Sequence, residues 1–307
     1  MVTFLQQVLN GLTLGCIYAL VALGYTLVYG ILELINFAHG DLVMIGALVS
    51  LSLVRALLGW GAPLSVALAG GLAGAIGVCV LVGVALERLA YRPLRHAPKL
   101  APLITAIGMS MVLEQGSALL WGRGYHSFPD LGLTHALSWG GVVISPLQGV
   151  IVLGSLCLLG GLLWLVQRSA LGRAMRATAQ NPVAAQLLGV DTERVITLAF
   201  VVGAALAAVA GLMVGAYYQV AHYTMGFMLG LKAFTAAVLG GIGNLSGAVL
   251  GGILLGLLEA LGAGYLGDWT GNLFGSNYKD VFSFATLILV LVFHPSGLLG
   301  RHAPEKV

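Results

Sequence analysis

Three groups of polar residues stand out from an otherwise apolar chain. Glu33, Asn36, His39 and Asp41 fall within the nine residues Glu-Leu-Ile-Asn-Phe-Ala-His-Gly-Asp, between two apolar runs. Polar groups at bilayer depth are costly and face a bundle interior or a water-filled path. This cluster and its glycine suit a broken helix whose freed backbone groups line a cavity. An ordinary cytoplasmic turn, with Asp41 near the N-terminus of the next helix, fits equally well. The second group is the 222–247 stretch, where Lys232 lies deep in an apolar run. Gly226, Gly230, Gly240, Gly241, Gly243 and Gly247 disfavour one uninterrupted helix there, and half-helices meeting near the midplane fit. Lys232 then lines a path, enters an ion pair, or snorkels to an interface. Both stretches run from an apolar span through a polar break to a glycine-bearing span, which hints at two halves related by a repeat. Glu114 and Glu259 also sit inside apolar spans. Each is a proton site or a neutral, hydrogen-bonded carboxyl; the second reading is preferred, since the sequence shows neither a partner.

The third group is the 167–195 loop. Ser169 is placed to N-cap a short helix through Ala179. Asn181 followed by Pro182 is a strong start signal, Asn at N-cap and Pro at the first helical position. Gly189 ends that helix after about two turns, and Asp191 caps the next span. Val183, Ala184, Leu187 and Leu188 make the short helix apolar. An apolar helix in a soluble loop needs a covering surface, either its own bundle or a partner.

The elements that position these groups follow from composition. Of 307 residues, 59% are hydrophobic and 8% charged, against about 25% charged in a typical soluble domain. A soluble enzyme with this composition would aggregate, and disorder is excluded by the apolar content. The 45 glycines, about twice the usual share, let helices touch or break in lipid. Charge-poor runs at 5–31, 42–58, 62–86, 101–121, 146–166, 195–217, 225–242, 247–266 and 280–294 predict an all-α, polytopic helix bundle. About eight helices should span, with one or two broken or re-entrant elements. Residues 1–307 read as one integral membrane domain. Met1 to Gln7 lack the basic region of a cleaved signal peptide, so the first run reads as a retained span. Small-xxx-small pairs (Gly11/Gly15, Gly70/Gly74, Gly211/Gly215, Gly247/Gly251, Gly252/Gly256) mark close helix contacts. Arg88, Arg92, Arg95 and Lys99, then Arg168, Arg173, Arg176 and Arg194, then Arg301 and Lys306, hold most of the 14 Lys and Arg. These three segments are therefore assigned to the cytoplasm. Residues 122–145 are then extracytoplasmic, with Trp121 and Trp139 as interfacial anchors.

Several chemistries have no carrier. No Lys precedes Ser or Thr, so a phosphate-binding P-loop is absent. Neither HExxH nor GxSxG occurs. Cys16, Cys79 and Cys157 lie singly in apolar runs and form no metal site. An intramembrane enzyme is not expected, and no metal or nucleic-acid site is predicted.

Together, LINFAHGD (34–41), ERLAYRPLR (87–95), AIGMS (106–110), LGRAMRATAQNPVAAQLLGVDTERV (171–195), KAFTAAVLGGIGNLSGAVLGG (232–252), and YKDVFSFATLILVL with HPSGLLGR near the C-terminus resemble permease subunits of bacterial branched-chain amino acid ABC transporters, the LivH-type half of the permease pair. The ordered set covers nearly the whole chain. The resemblance implies a permease of the bacterial inner membrane with no cofactor of its own. It implies a second homologous permease, two cytoplasmic ATPase subunits carrying ATP and Mg, and a periplasmic binding protein delivering leucine, isoleucine or valine. Such permeases dock their ATPases through a Glu-Ala-Ala-xxx-Gly helix. Ala184, Ala185 and Gly189 match, while Val183 replaces the acid. Asn181, Pro182, Ala184, Ala185, Leu188 and Gly189 are thus the expected coupling helix, flanked by Arg173 and Arg176, which are free to pair with acidic groups or lipid headgroups. Asn36, His39, Asp41 and Lys232 are the expected path residues. The main alternative is an ion-coupled secondary transporter acting without an ATPase, with Lys232, Glu259, Glu114 or Asp41 carrying the coupling. A passive channel is the third class.

Overall fold

Helices begin where the apolar runs begin and stop at glycine, proline or a polar break. The computed structural model describes residues 2–95, 97–98, 100–132, 137–269 and 278–300. Eleven α-helices follow in order: α1 (Val2–Leu32), α2 (His39–Gly59), α3 (Leu64–Leu86), α4 (Leu100–Trp121), α5 (Pro146–Arg168), α6 (Ala170–Gln180), α7 (Pro182–Leu187), α8 (Thr192–Tyr218), α9 (Met225–Gly240), α10 (Leu245–Trp269) and α11 (Lys279–Phe293). A π-helical turn (Glu87–Tyr91) and a 3-10 turn (Arg92–Leu94) prolong α3. Seven helices among the described residues are long and apolar enough to cross a membrane; Met225–Gly240 and Phe284–Phe293 are shorter. Lys99, Arg301 and Lys306 lie outside the described residues, as does the Trp139 side chain.

The described residues form two compact units. One comprises residues 27–132 and 160–231. Its centre is α2, α3 and α8, joined by small residues. A Cβ on Gly46 would lie 2.7 Å from Ala208 Cα, and one on Gly211 only 2.2 Å from the Val43 carbonyl oxygen. Such backbone approach is how helices gain packing contact in lipid. Two short antiparallel strands, β1 (His126–Ser127) and β4 (Val220–Ala221), tie the loop after α4 to the end of α8. Trp121, expected as an interfacial anchor, donates its single Nε1–H to Ser52 Oγ at 2.8 Å, so its polar edge is used within the protein.

The other unit comprises residues 1–26, 133–159 and 232–307. Gly11 and Gly15 of α1 meet Gly252, Gly256 and Leu257 of α10; a Cβ on Gly252 would lie 2.5 Å from Ala19 Cα. Strands β2 (Leu137–Trp139) and β3 (Val142–Ile144) make a hairpin. Gln6 holds it through both polar atoms of its side-chain amide: Nε2 donates to the Val143 carbonyl at 3.0 Å and Oε1 accepts the Val143 N–H at 2.8 Å. The chain after α11 returns to the end of α9. There the N–H groups of Leu298 and Leu299 donate to the Leu239 and Gly240 carbonyls, at 2.9 and 3.0 Å. Asn244 Nδ2 donates to the Leu299 carbonyl at 2.7 Å. These bonds satisfy carbonyls that a helix ending inside an apolar bundle would otherwise leave unpaired.

Candidate functional site

The 33–41 break is a buried element. Helix α1 stops at Leu32 and Glu33 turns the chain with φ +53°, rare for a residue with a Cβ. Asn36, His39 and Asp41 are all buried. Tyr91 OH, on the π-turn after α3, donates to Asn36 Oδ1 at 2.8 Å. The Tyr91 ring lies 5.4 Å from that of Phe200, in an apolar cluster with Val28, Ala90, Ala106 and Ile196. Asp41 occupies the first turn of α2 and faces Ser110 and Glu114 of α4. A Cβ on Gly40 would lie 2.4 Å from the Gly226 carbonyl oxygen, and one on Gly226 would lie 2.9 Å from Asp41 Oδ1. The starts of α2 and α9 are therefore in backbone contact, with the Asp41 carboxyl beside both.

The outline shared by the two polar stretches is realised in detail. Leu32 and Tyr218 end helices, Glu33 and Gln219 both have positive φ (+53° and +55°), and His39 and Met225 begin the next helices. The same spacing separates each pair, and also Gly40 from Gly226. Beside the second break lies a cavity of about 250 Å3 with walls from Val214, Met228 and Leu229 and an edge from His222 and Thr224. The Thr224 N–H donates to His222 Nδ1 at 3.2 Å, and the Tyr125 ring packs edge-on at 4.7 Å. Burial lowers the His222 pKa from its ordinary 6.5.

Lys232 does not snorkel. It is buried, with Nζ 2.8 Å from Glu259 Oε1 and 2.7 Å from Asp280 Oδ1. Tyr18 OH donates to Glu259 Oε2 at 2.9 Å. This cluster joins α1, α9, α10 and α11, all within the second unit described above, whereas Asn36, His39 and Asp41 belong to the first. The reading of Glu259 as a carboxyl without an ionic partner is thereby corrected. Tyr18, Tyr91 and Asp280 were missed by the sequence reading. A charge inventory signals Asp280: Lys232 needs compensation, and few acids follow it in the chain. Nothing local marks the tyrosines. Among the described residues no group of His, Cys, Asp or Glu could hold a metal ion.

The 167–195 loop folds into two capped helices. Ser169 Oγ accepts from the Gly172 N–H at 3.0 Å, Asn181 Oδ1 from Ala184 at 3.0 Å, and Asp191 Oδ1 from Arg194 at 3.1 Å. Gly189 takes φ +83° and closes α7, with the N–H groups of Gly189 and Val190 donating to the Gln186 and Ala185 carbonyls. That pattern is a Schellman stop. Ala185 is buried, while Leu187 and Leu188 are 84% and 83% exposed and Val183 is also exposed. Within the chain, Arg173 and Arg176 bond backbone carbonyls. Arg173 Nη1 donates to the Arg168 carbonyl at 3.2 Å, and Arg176 to the Val166 and Gln167 carbonyls. Both guanidinium groups close the open end of α5, where a helix terminus attracts cations. The base of α8 is fastened to the α3 extension: Arg95 pairs with Glu87 and Glu193, Arg92 Nε lies 2.9 Å from Glu193, and Thr197 donates to Glu87 at 3.2 Å.

Long apolar helices, paired intramembrane charges and breaks satisfied by other parts of the chain define a polytopic membrane protein of the transporter type. Residues 7–291 match the family of branched-chain amino acid transport system permease components, and the chain belongs to that family. It is 46% identical over 310 residues to the high-affinity branched-chain amino acid transport system permease protein LivH of Escherichia coli K12, covering 99% of this chain and 98% of that one. It is 45% identical to BraD of Pseudomonas aeruginosa, with the same coverage. A probable LivH of Methanocaldococcus jannaschii is 28% identical over 92% of this chain and 88% of its own length.

Proposed function

We propose that the chain is the membrane permease subunit of an ATP-driven importer of branched-chain, hydrophobic amino acids. It builds the translocation path with a second, homologous permease subunit. Two cytoplasmic ATPase subunits supply ATP and Mg, and a periplasmic binding protein delivers the cargo. The observation that carries this reading is identity of 45–46% along nearly the whole chain to permeases named for that cargo. The alternative is a lone ion-coupled transporter, with Lys232, Glu259, Glu114 or Asp41 carrying the coupling; of these, Lys232 and Glu259 are paired with each other.

Orientation follows from charge and crossing number. With the basic loops and tail in the cytoplasm of a bacterial inner membrane, four helices, α8 to α11, lie between the 167–195 loop and the tail. An even number of them must cross, so the shorter α9 and α11 either both cross, giving nine crossings, or both re-enter, giving seven; in either case the N-terminus is extracytoplasmic. Helix α9, about 24 Å long at 1.5 Å per residue, crosses about 30 Å of hydrocarbon only with its flanking breaks.

Docking is assigned to α7, whose apolar side chains Val183, Leu187 and Leu188 have no cover. The route inward is contiguous. Gln186 bonds Thr192 at 2.7 Å, Glu193 joins Arg95 and Glu87, and Tyr91 on the same π-turn bonds Asn36 at the first break. Differential ATPase binding to two arrangements of this network would shift the population between them. The path elements are Asn36, His39, Asp41 and the 222–243 stretch with Lys232. The cavity beside His222 offers apolar walls to a branched side chain.

Reconstitution tests the proposal. Uptake of leucine into liposomes should require ATP, the ATPases, the second permease and the binding protein together. Uptake by this chain alone under a proton or sodium gradient refutes it. In the complete system Tyr91→Phe should lower transport per ATP hydrolysed; an unchanged ratio removes Tyr91 from the coupling route.

A further inference from the structure

Where α3 ends and α8 begins there is an open pocket of about 430 Å3, lined by Arg88, Arg92 and Arg194 together with Asp191, Glu193 and Leu198. The two acids are already committed. Glu193 pairs with Arg92 and Arg95, and Asp191 with Arg194 at 2.8 Å. Arg88 forms no ion pair among the described residues, so the pocket holds one uncompensated guanidinium beside two others.

Its surroundings are apolar. Leu81 and Ala85 are exposed along α3 and lead toward Arg88, Leu89 is 76% exposed next to it, and Leu198 is exposed on α8. A cation at the end of an apolar stripe on a membrane-spanning helix matches one molecule: a phosphate headgroup with acyl chains running along the helix. A soluble anion would make no use of the leucines. We propose that this pocket binds the headgroup of an anionic phospholipid, with Arg88 as its principal contact. The bound lipid bridges the α3 extension to the base of α8, next to the α7 helix. Arg173 and Arg176, expected to meet acidic groups or lipid headgroups, bond the end of α5 within the chain, whereas Arg88 makes no ion pair among the described residues. The inference does not depend on which solute is transported.

The test is lipid retention by the full-length chain, delipidated in mild detergent and titrated with phosphatidylglycerol or phosphatidylcholine. Native mass spectrometry counts bound lipid and thermal unfolding checks integrity. Phosphatidylglycerol should be held more tightly than phosphatidylcholine. Arg88→Gln should weaken it about five-fold, the share of one arginine at an anionic surface, while Arg88→Lys keeps most of the affinity. Equal retention by wild type and Arg88→Gln overturns the proposal. Displacement of phosphatidylglycerol by millimolar inorganic phosphate overturns the lipid assignment in favour of a free phosphate site. Should Arg88→Gln unfold early, Arg194→Gln is the second variant: reduced phosphatidylglycerol retention supports the pocket and unchanged retention overturns it.

Discussion

Replacing Lys232 by Met should be among the most damaging single changes in the chain. The ammonium lies 2.8 Å from Glu259 and 2.7 Å from Asp280. At an effective dielectric near 20, two charges ~2.8 Å apart attract by about 6 kcal/mol, most of it offset by the cost of removing both from water. The side chain of Asp280 is 31% exposed, so its share is screened and discounted. The side chain of Glu259 is 1% exposed. Without Lys232 its charge is left with the hydrogen bond from Tyr18, and leaving one member of a buried pair costs about 3–5 kcal/mol. Glu259→Gln should cost less, about 1–3 kcal/mol, because Lys232 retains Asp280. The double variant, Lys232→Met with Glu259→Gln, removes both of the most deeply buried charges, leaves only the part-exposed Asp280 without its cation, and should recover part of the loss. Unfolding in mixed detergent micelles measures all four species, and the cycle isolates the pair. A Lys232→Met chain within 1 kcal/mol of wild type refutes the argument. So do strictly additive losses.

Leu188→Asp on the uncovered face of α7 should leave stability within about 0.5 kcal/mol, as for other surface changes, yet reduce ATP-driven uptake at least ten-fold, the scale of one lost interface anchor; normal uptake moves docking elsewhere. Gly40→Ala puts a Cβ 2.4 Å from the Gly226 carbonyl oxygen and 2.7 Å from Gly230 Cα. It should destabilise by about 1–3 kcal/mol or more through overpacking, read as a lowered melting temperature, and an unchanged one would show that the helices are not in contact. His222 is held neutral, because burial lowers its pKa and its Nδ1 accepts the Thr224 N–H. Its stabilising contribution is therefore present above the ordinary value of 6.5 and lost as pH falls through the lowered pKa. His222→Gln should flatten that acid-side loss in a melting series, and identical pH profiles would refute it.

Helix positions were legible because lipid imposes one rule on every span: satisfy the backbone internally and keep charge out. The apolar runs at 146–166 and 195–217 therefore lie within α5 and α8. Caps at Ser169, Asn181 and Asp191 were readable for a similar reason, since they depend on residues three apart in sequence. Partners far apart in sequence were not readable. Nothing adjacent to Glu259 announces Lys232, and nothing near Asn36 announces Tyr91 on a π-turn. The bonds of Arg173 and Arg176 to the α5 carbonyls were not readable either, because those carbonyls belong to a helix end whose place is fixed only in the fold. The short strands near 126 and 220 escaped notice because two residues carry no periodicity.

The paired breaks explain why glycine is concentrated where it is. A chain that stops at Leu32, turns at a left-handed Glu33 and restarts at His39 does the same at Tyr218, Gln219 and Met225. Were these two unrelated loops, the restarts would have no reason to meet. Gly40 and Gly226 occupy equivalent places and touch each other, as expected if an internal repeat brings its own copies together. Neither position tolerates a Cβ without separating the helices, so the contact constrains both breaks at once. On the proposed reading the first break also receives the pull of the docking helix, through Glu193, Arg95, Glu87 and Tyr91. On that reading a movement begun there would reach the start of α9, which Gly40 touches. The wide distribution of glycine in the sequence thus resolves into seams that let spans pack, such as Gly15 against Gly252 and Ile253, and one junction where the two equivalent breaks touch at Gly40 and Gly226.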